Sequence, residues 1–176
     1  MKKQKCVFLD RDGVLNRERG DYTYNLKQFE VLPRVPQALA LLKENGFLLV
    51  VVTNQAGMAK GLYQKEHVLA CHRKLQDNCG DLIDAIYFAP HHPEYSESLS
   101  RKPDSLMLER AIARFNIDPG ASWMVGDSLR DLQAAAKVGV KSVLVGEQHP
   151  PQTHIWHTQD LWEAAQLILQ KTKKPA

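Results

Sequence analysis

Cysteine is scarce in this chain: three residues of 176, Cys6, Cys71 and Cys79. An odd, scattered set without C-x-x-C spacing excludes a disulfide framework and suits a reducing compartment. Long hydrophobic runs are missing as well. No segment approaches the ~20 residues that span a bilayer. The first apolar run, residues 6–9, is too short for a signal peptide and is cut by Asp10, Arg11 and Asp12. Nor does one sign of charge dominate. The net charge of +3 comes largely from Lys2, Lys3 and Lys5 at one end and Lys171, Lys173 and Lys174 at the other, and charged termini are ordinarily solvated. No basic stripe interleaved with aromatic residues is available to hold nucleic acid, and no internal repeat is present. These absences predict a cytoplasmic, soluble monomer with neither a nucleic-acid nor a membrane partner.

What is present is an ordinary globular composition, 44% hydrophobic and 24% charged, at a length suited to a single domain over residues 1–176. Apolar runs alternate with helical patterns. Strands are predicted at residues 6–9, 47–53, 85–90, 123–127 and 141–146. Helices are predicted at 36–46, 64–78, 103–115, 129–139 and 160–172, with Gly46 and Gly139 as stops. The run FLLVVVT is apolar without alternation, as in a strand covered on both faces. Residues 91–100 and 146–159 read as polar or proline-containing loops. The alternation predicts an α/β fold, a Rossmann-like parallel sheet sandwiched by helices. In such sheets ligands bind beyond the carboxyl ends of the strands.

Several of those ends carry chemistry. The first continues into DRDG, so Asp10 and Asp12 leave the strand two residues apart and can face one cleft, with Gly13 allowing a sharp turn. A carboxylate can attack phosphorus, and its neighbour can pass a proton to the leaving oxygen and later take one from water. Taken alone, D-x-D-G also suits an acidic turn or a calcium loop, but Val14 and Leu15 supply no further oxygen ligands. The second strand ends in Thr53, Asn54, Gln55 and Ala56, where a hydroxyl and backbone N–H groups can hold phosphate oxygens; a Thr-Asn turn is the plainer alternative. Arg101 and Lys102 precede the third predicted helix, at 103–115, and can grip a phosphoryl group or form a solvated basic pair. Asp127 follows the fourth strand and can complete a magnesium site begun by Asp10 and the backbone carbonyl of Asp12. Asp131, one helical turn later, suits a ligand, a supporting or an exposed role.

In order, DRDG, VVTNQ, RKP and VGDSLRD resemble the four motifs of the haloacid dehalogenase superfamily, spanning residues 10–131. The resemblance implies Asp10 as nucleophile and magnesium ligand, Asp12 as general acid/base, Thr53 and Lys102 as phosphoryl stabilisers, and Asp127 as magnesium ligand. DRDGVLN, TNQAG and HHP followed by RKP narrow it to the group of D-glycero-D-manno-heptose 1,7-bisphosphate and histidinol-phosphate phosphatases, small enzymes without a large cap. That likeness implies Mg2+ as cofactor and a small phosphorylated sugar as substrate, held by Glu18, Arg19, Gly20 and Asp21, by Thr53 to Ala56, and by Arg101 with Lys102. Histidinol phosphate is the alternative substrate, and a non-catalytic metabolite-binding protein the alternative from another class. Two departures stand out. The structural zinc of many members is held by C-P-H and C-x-C-R-K-P, but Ala89, Ser98 and Ser100 occupy the thiolate positions here, so no zinc is expected despite His91 and His92. Ser128 stands where the heptose enzymes often place lysine, which removes one possible charge contact.

Overall fold

The apolar runs become strands because only a sheet covered on both faces can bury them along their whole length. A computed structural model describes residues 2–147 and 155–173. Its sheet is parallel throughout, in the order β3-β2-β1-β4-β5-β6, with β1 at Cys6–Leu9, β2 at Leu48–Asn54, β3 at Ala85–Ala89, β4 at Trp123–Gly126, β5 at Lys141–Val145 and β6 at Trp156–Thr158. The helices are α1, Val35–Glu44; α2, Lys65–Asn78; α3, Leu106–Phe115; α4, Leu129–Lys137; and α5, Leu161–Lys173. This is the α/β sandwich expected from the sequence.

Residue parity along the strands separates the two faces. Val7, Leu9, Leu49, Val51 and Val125 pack with α1, α2 and α5, whereas Phe8, Val50, Val52 and Met124 pack with α3 and α4. All three cysteines are free and buried. Burial pushes the Cys79 thiol up to about 11, so it stays protonated and acts as core filling. No helix among the described residues is long and apolar enough to cross a membrane.

Most boundaries agree with the sequence reading to within two residues, and two features differ by more. The loop expected at 146–159 contains β6, which extends the sheet beside β5, and its residues 148–154 lie outside the described residues, as does Lys174. Three residues were too few to register as an apolar run. Trp156 packs on Trp123 with ring centroids 4.9 Å apart, so it lies partly buried against the core. The third helix begins at Leu106, not at Pro103; residues 101–104 form turns, and Lys102–Pro103 is a cis peptide bond.

The chain runs from β1 outward to β2 and β3, then returns to the other side of β1 for β4, β5 and β6. The strand order therefore reverses at β1, and the crevice opens beyond its carboxyl end. Leu9 is in register with both Val51 and Val125, which brings the ends of β1, β2 and β4 to one level.

Candidate active site

Asp10 is the first residue beyond β1, and its backbone N–H donates to the carbonyl of Val125 on β4 at 3.0 Å. The chain then turns at Gly13, where φ is +83°. A Cβ there would lie 2.0 Å from Oδ2 of Asp127. Only glycine lets this loop close onto the end of β4.

Lys102 enters the same level from the opposite side. Its backbone N–H donates to Oδ1 of Asn54 at 3.0 Å while Nδ2 of Asn54 donates to its carbonyl at 3.0 Å, a two-point tie to the end of β2. The ammonium, almost fully buried, donates to the Val52 carbonyl at 2.7 Å and pairs with Asp10 at 2.9 Å and Asp131 at 2.6 Å. All three of its N–H donors are thus engaged. Burial opposes its charge, but the two carboxylates outweigh burial and raise its pKa. Asp131 uses its other oxygen to accept the Ser128 N–H at 3.1 Å, closing the capping box of α4. It is therefore buried, not an exposed first-turn residue.

Oxygens of Asp10, Asp127 and Asp131 lie within 4.8 Å of one another. Burial, resisted by Lys102 and reinforced by the neighbouring carboxylates, lifts Asp10 to about 7. Burial and the charge of Asp131 lift Asp127 to about 6. Three clustered carboxylates share one buried ammonium, an excess of negative charge that a second cation would relieve. An all-oxygen donor set fits a hard divalent ion, so the site can hold a metal.

The Asp12 carboxylate is outside this triad. It accepts instead from the fully buried Arg11 guanidinium at 2.9 Å, Nδ2 of Asn16 at 2.9 Å and Nε2 of Gln55 at 3.0 Å. The same Gln55 amide donates to Oγ1 of Thr53 at 3.1 Å. Its oxygen accepts the hydroxyl of Tyr63 at 3.0 Å, a phenol that burial holds protonated by raising its pKa to about 12. The tyrosine thus orients the amide so that its NH2 reaches both Asp12 and Thr53.

Above these groups lies a cavity of about 540 Å³. Of the residues singled out in the sequence, Asp10, Asp12, Glu18, Asp21, Thr53, Asn54, Gln55, Ala56, Arg101, Lys102 and Asp127 line it. Arg19 and Gly20 do not: the Arg19 guanidinium reaches back to the Gln28 carbonyl at 3.0 Å and to Glu30 at 3.7 Å, and the Gly20 N–H donates to the Glu18 side chain at 2.8 Å. The Gln55 backbone N–H is also taken, by the Ala89 carbonyl at 2.7 Å. Tyr22, Thr23, His92 and Arg130 line the wall without having been singled out for the site. Arg130 carried a signal in the sequence, one residue before Asp131 in the fourth motif. In the loop at 91–101 the Ser98 and Ser100 hydroxyls share a hydrogen bond of 2.8 Å, Ser96 bonds Nδ1 of His91 at 3.3 Å, and Arg101 donates to the His91 carbonyl at 3.2 Å. Hydrogen bonds between these side chains and the backbone hold the loop.

The chain belongs to the haloacid dehalogenase-like hydrolases, whose family model matches residues 4–139. Among curated relatives, the D-glycero-beta-D-manno-heptose-1,7-bisphosphate 7-phosphatase of Yersinia pestis is 43% identical over 156 residues, covering 82% of each chain. The enzyme of the same name from Haemophilus ducreyi is 41% identical over 148 residues, 79% of this chain and 81% of its own. Among solved structures, the D,D-heptose 1.7-bisphosphate phosphatase from B. bronchiseptica, complexed with magnesium and phosphate, superposes with a TM-score of 0.86 at 33% identity, covering 95% of this chain and 99% of that one. Family and relatives make this chain a phosphoric monoester hydrolase.

Proposed function

We propose that this enzyme is a magnesium-dependent phosphatase, a single domain over residues 1–176, that removes the C7 phosphate of D-glycero-D-manno-heptose 1,7-bisphosphate through an aspartyl-phosphate. The pathway is the cytoplasmic synthesis of lipopolysaccharide-precursor carbohydrate. The observation that carries the chemistry is the buried set of Asp10, Lys102 and Asp131 beside Asp127 at the switch point of the sheet. The names of the relatives support the substrate.

A carboxylate oxygen of Asp10 attacks phosphorus, forming the acyl phosphate as the bond from phosphorus to the C7 oxygen breaks. Asp12, protonated, gives its proton to that departing oxygen; as a carboxylate it then accepts one from the water that attacks phosphorus, releasing inorganic phosphate and restoring Asp10. For this the Asp12 carboxylate, which already lines the cavity, must release Arg11. Thr53 holds a phosphoryl oxygen through its hydroxyl, and Lys102 supplies positive charge at the attacking oxygen. Asp10 and Asp127, with the Asp12 carbonyl, would hold magnesium, which when bound offsets repulsion between a carboxylate and a phosphate.

The test is phosphate release, with and without magnesium, from both anomers of heptose 1,7-bisphosphate, from heptose 7-phosphate, from histidinol phosphate and from common sugar phosphates. A heptose bisphosphate should lead by about tenfold or more, and chelation should abolish turnover. Preference for histidinol phosphate would replace the substrate and keep the chemistry. No release from any compound would overturn the proposal.

A further inference from the structure

Three cations line the cavity: Lys102, Arg101 and Arg130. Lys102 has no donor to spare, because Asp10, Asp131 and the Val52 carbonyl take all three. The two arginines differ from it. Among the described residues neither lies within 4.0 Å of a carboxylate. Each makes side-chain hydrogen bonds that leave most of its five N–H donors free: Arg101 uses Nη1 on the His91 carbonyl at 3.2 Å, and Arg130 uses Nε on the Ser128 hydroxyl at 3.3 Å.

Arg130 is also at the wrong end of its helix for a cation. It is the second residue of α4, where the helix dipole presents positive charge and an arginine gains nothing from the backbone. The two guanidiniums are close enough to act on each other: burial first and the charge of Arg130 second hold Arg101 below its ordinary range. Carboxylates line the same cavity, but among the described residues none pairs with either arginine, so an anion placed between the two guanidiniums would relieve their repulsion. Tetrahedral phosphate, with its several acceptor oxygens, is the ligand that two arginine forks match best.

We infer that Arg130 joins Arg101, the substrate contact the family likeness already implies, in a clamp for the phosphate that is not hydrolysed, and that Arg130 is a specificity-determining residue particular to this chain. The inference rests on the bisphosphate reading proposed above. The reacting phosphate lies against Asp10, Thr53 and Lys102 at the strand ends; the second, at the rim, is held by the clamp. Ser128 aims Arg130: its hydroxyl accepts from both the backbone N–H and Nε of Arg130 at 3.3 Å.

The experiment compares the wild-type enzyme with Arg130→Gln and Arg130→Lys on heptose 1,7-bisphosphate and on heptose 7-phosphate. In Arg130→Gln the ratio of the two kcat/KM values should fall by about 10- to 100-fold, as expected for loss of a charge-assisted hydrogen-bonded contact, mostly through KM for the bisphosphate. Arg130→Lys should recover part of it. A ratio equal to that of the wild type, whether or not overall activity drops, would overturn the clamp. A separate measurement removes the dependence on heptose. Fructose 1,6-bisphosphate should inhibit turnover of p-nitrophenyl phosphate more strongly than fructose 6-phosphate in the wild type, and that advantage should shrink in Arg130→Gln. Equal inhibition by the two sugars in the wild type would sink the clamp even if the heptose substrate proves right. The predicted advantage with a different best substrate would keep the clamp and replace only the heptose.

Discussion

The floor of the cavity and its rim are built on different principles. On the floor, Lys102, Asp131, Thr53, Gln55 and Arg11 are buried. Most of their polar atoms are paired with strand-end carbonyls, nearby backbone or one another, Nη1 of Arg11 being an exception. At the rim, Glu18 and Arg130 are exposed, Asp21, His92 and Arg101 are less than fully buried, and the segments that carry Glu18, Asp21, His92 and Arg101 are loops. A buried charge must have its partner fixed in advance, because nothing else solvates it. A rim charge is solvated by water until a ligand displaces it. The floor is therefore suited to holding one reaction geometry, and the rim to choosing what is brought to it.

The largest effect that would test this contrast is at the floor. Asp10→Asn should lower turnover on the order of 10⁴-fold or more while circular dichroism shows a folded protein, because an amide is no nucleophile and Lys102 keeps Asp131 and the Val52 carbonyl. Substantial residual turnover would remove the difference assigned to the two regions. Lys102→Met should come next. Leaving Asp10, Asp127 and Asp131 without their buried cation should destabilise the protein by about 3–5 kcal/mol, read as a lower urea midpoint, whereas Arg130→Gln at the rim should stay within about 0.5 kcal/mol of wild type.

His72 gives a pH test of the floor from beneath. Burial, with the charge of Arg11 adding to it, lowers its pKa from 6.5 to about 3. Below pH 6.5 the unfolded chain takes up a proton that the folded protein refuses, so this contribution to stability is full above 6.5 and is lost as pH falls toward 3. The loss approaches about 1.4 kcal/mol per pH unit. Urea melts at pH 7 and pH 5 should therefore show a smaller pH dependence in His72→Gln than in wild type; equal slopes would refute it. The smallest effect concerns the amide that joins Asp12 to Thr53. Tyr63→Phe removes the hydroxyl that orients Gln55, and kcat on the sugar phosphate should fall by about tenfold or less, in keeping with the modest worth of one neutral hydrogen bond. The fall should be less on p-nitrophenyl phosphate, whose leaving group needs little help from a proton donor. The same loss on both would place the effect of Tyr63 elsewhere.

Much of the floor was legible in the chain because its signals are local. A strand that ends in D-x-D-G, another that ends in Thr-Asn-Gln and a third that ends in Gly-Asp each declare both an element and its terminus within a few residues. The rim was less legible. Glu18 and Asp21 face the cavity while Arg19 and Gly20 between them do not, and a four-residue loop without periodicity offers no rule for which side chain turns inward. Ser128 read as a lost charge contact; in three dimensions its hydroxyl orients Arg130, which restores positive charge to the same wall. Asp12 shares the cavity with Asp10 as the sequence suggested, but nothing local showed that its carboxylate is held by Arg11, Asn16 and Gln55 or that Arg11 is wholly buried.

The sequence by itself determined the alternation of strands and helices and the strand ends at which acidic and polar side chains collect, since each depends on apolar periodicity and on neighbours within a turn or two. Only the tertiary structure decided that Lys102 has its donors engaged, that Asp131 is buried, that Asp12 is paired with Arg11 and that Arg130 shares a wall with Arg101. Lys102 meets the Val52 carbonyl across 50 positions of the chain, and Gln55 meets Asp12 across 43. Contacts at such separations are set by how helices and loops pack over the sheet, and no local pattern encodes them.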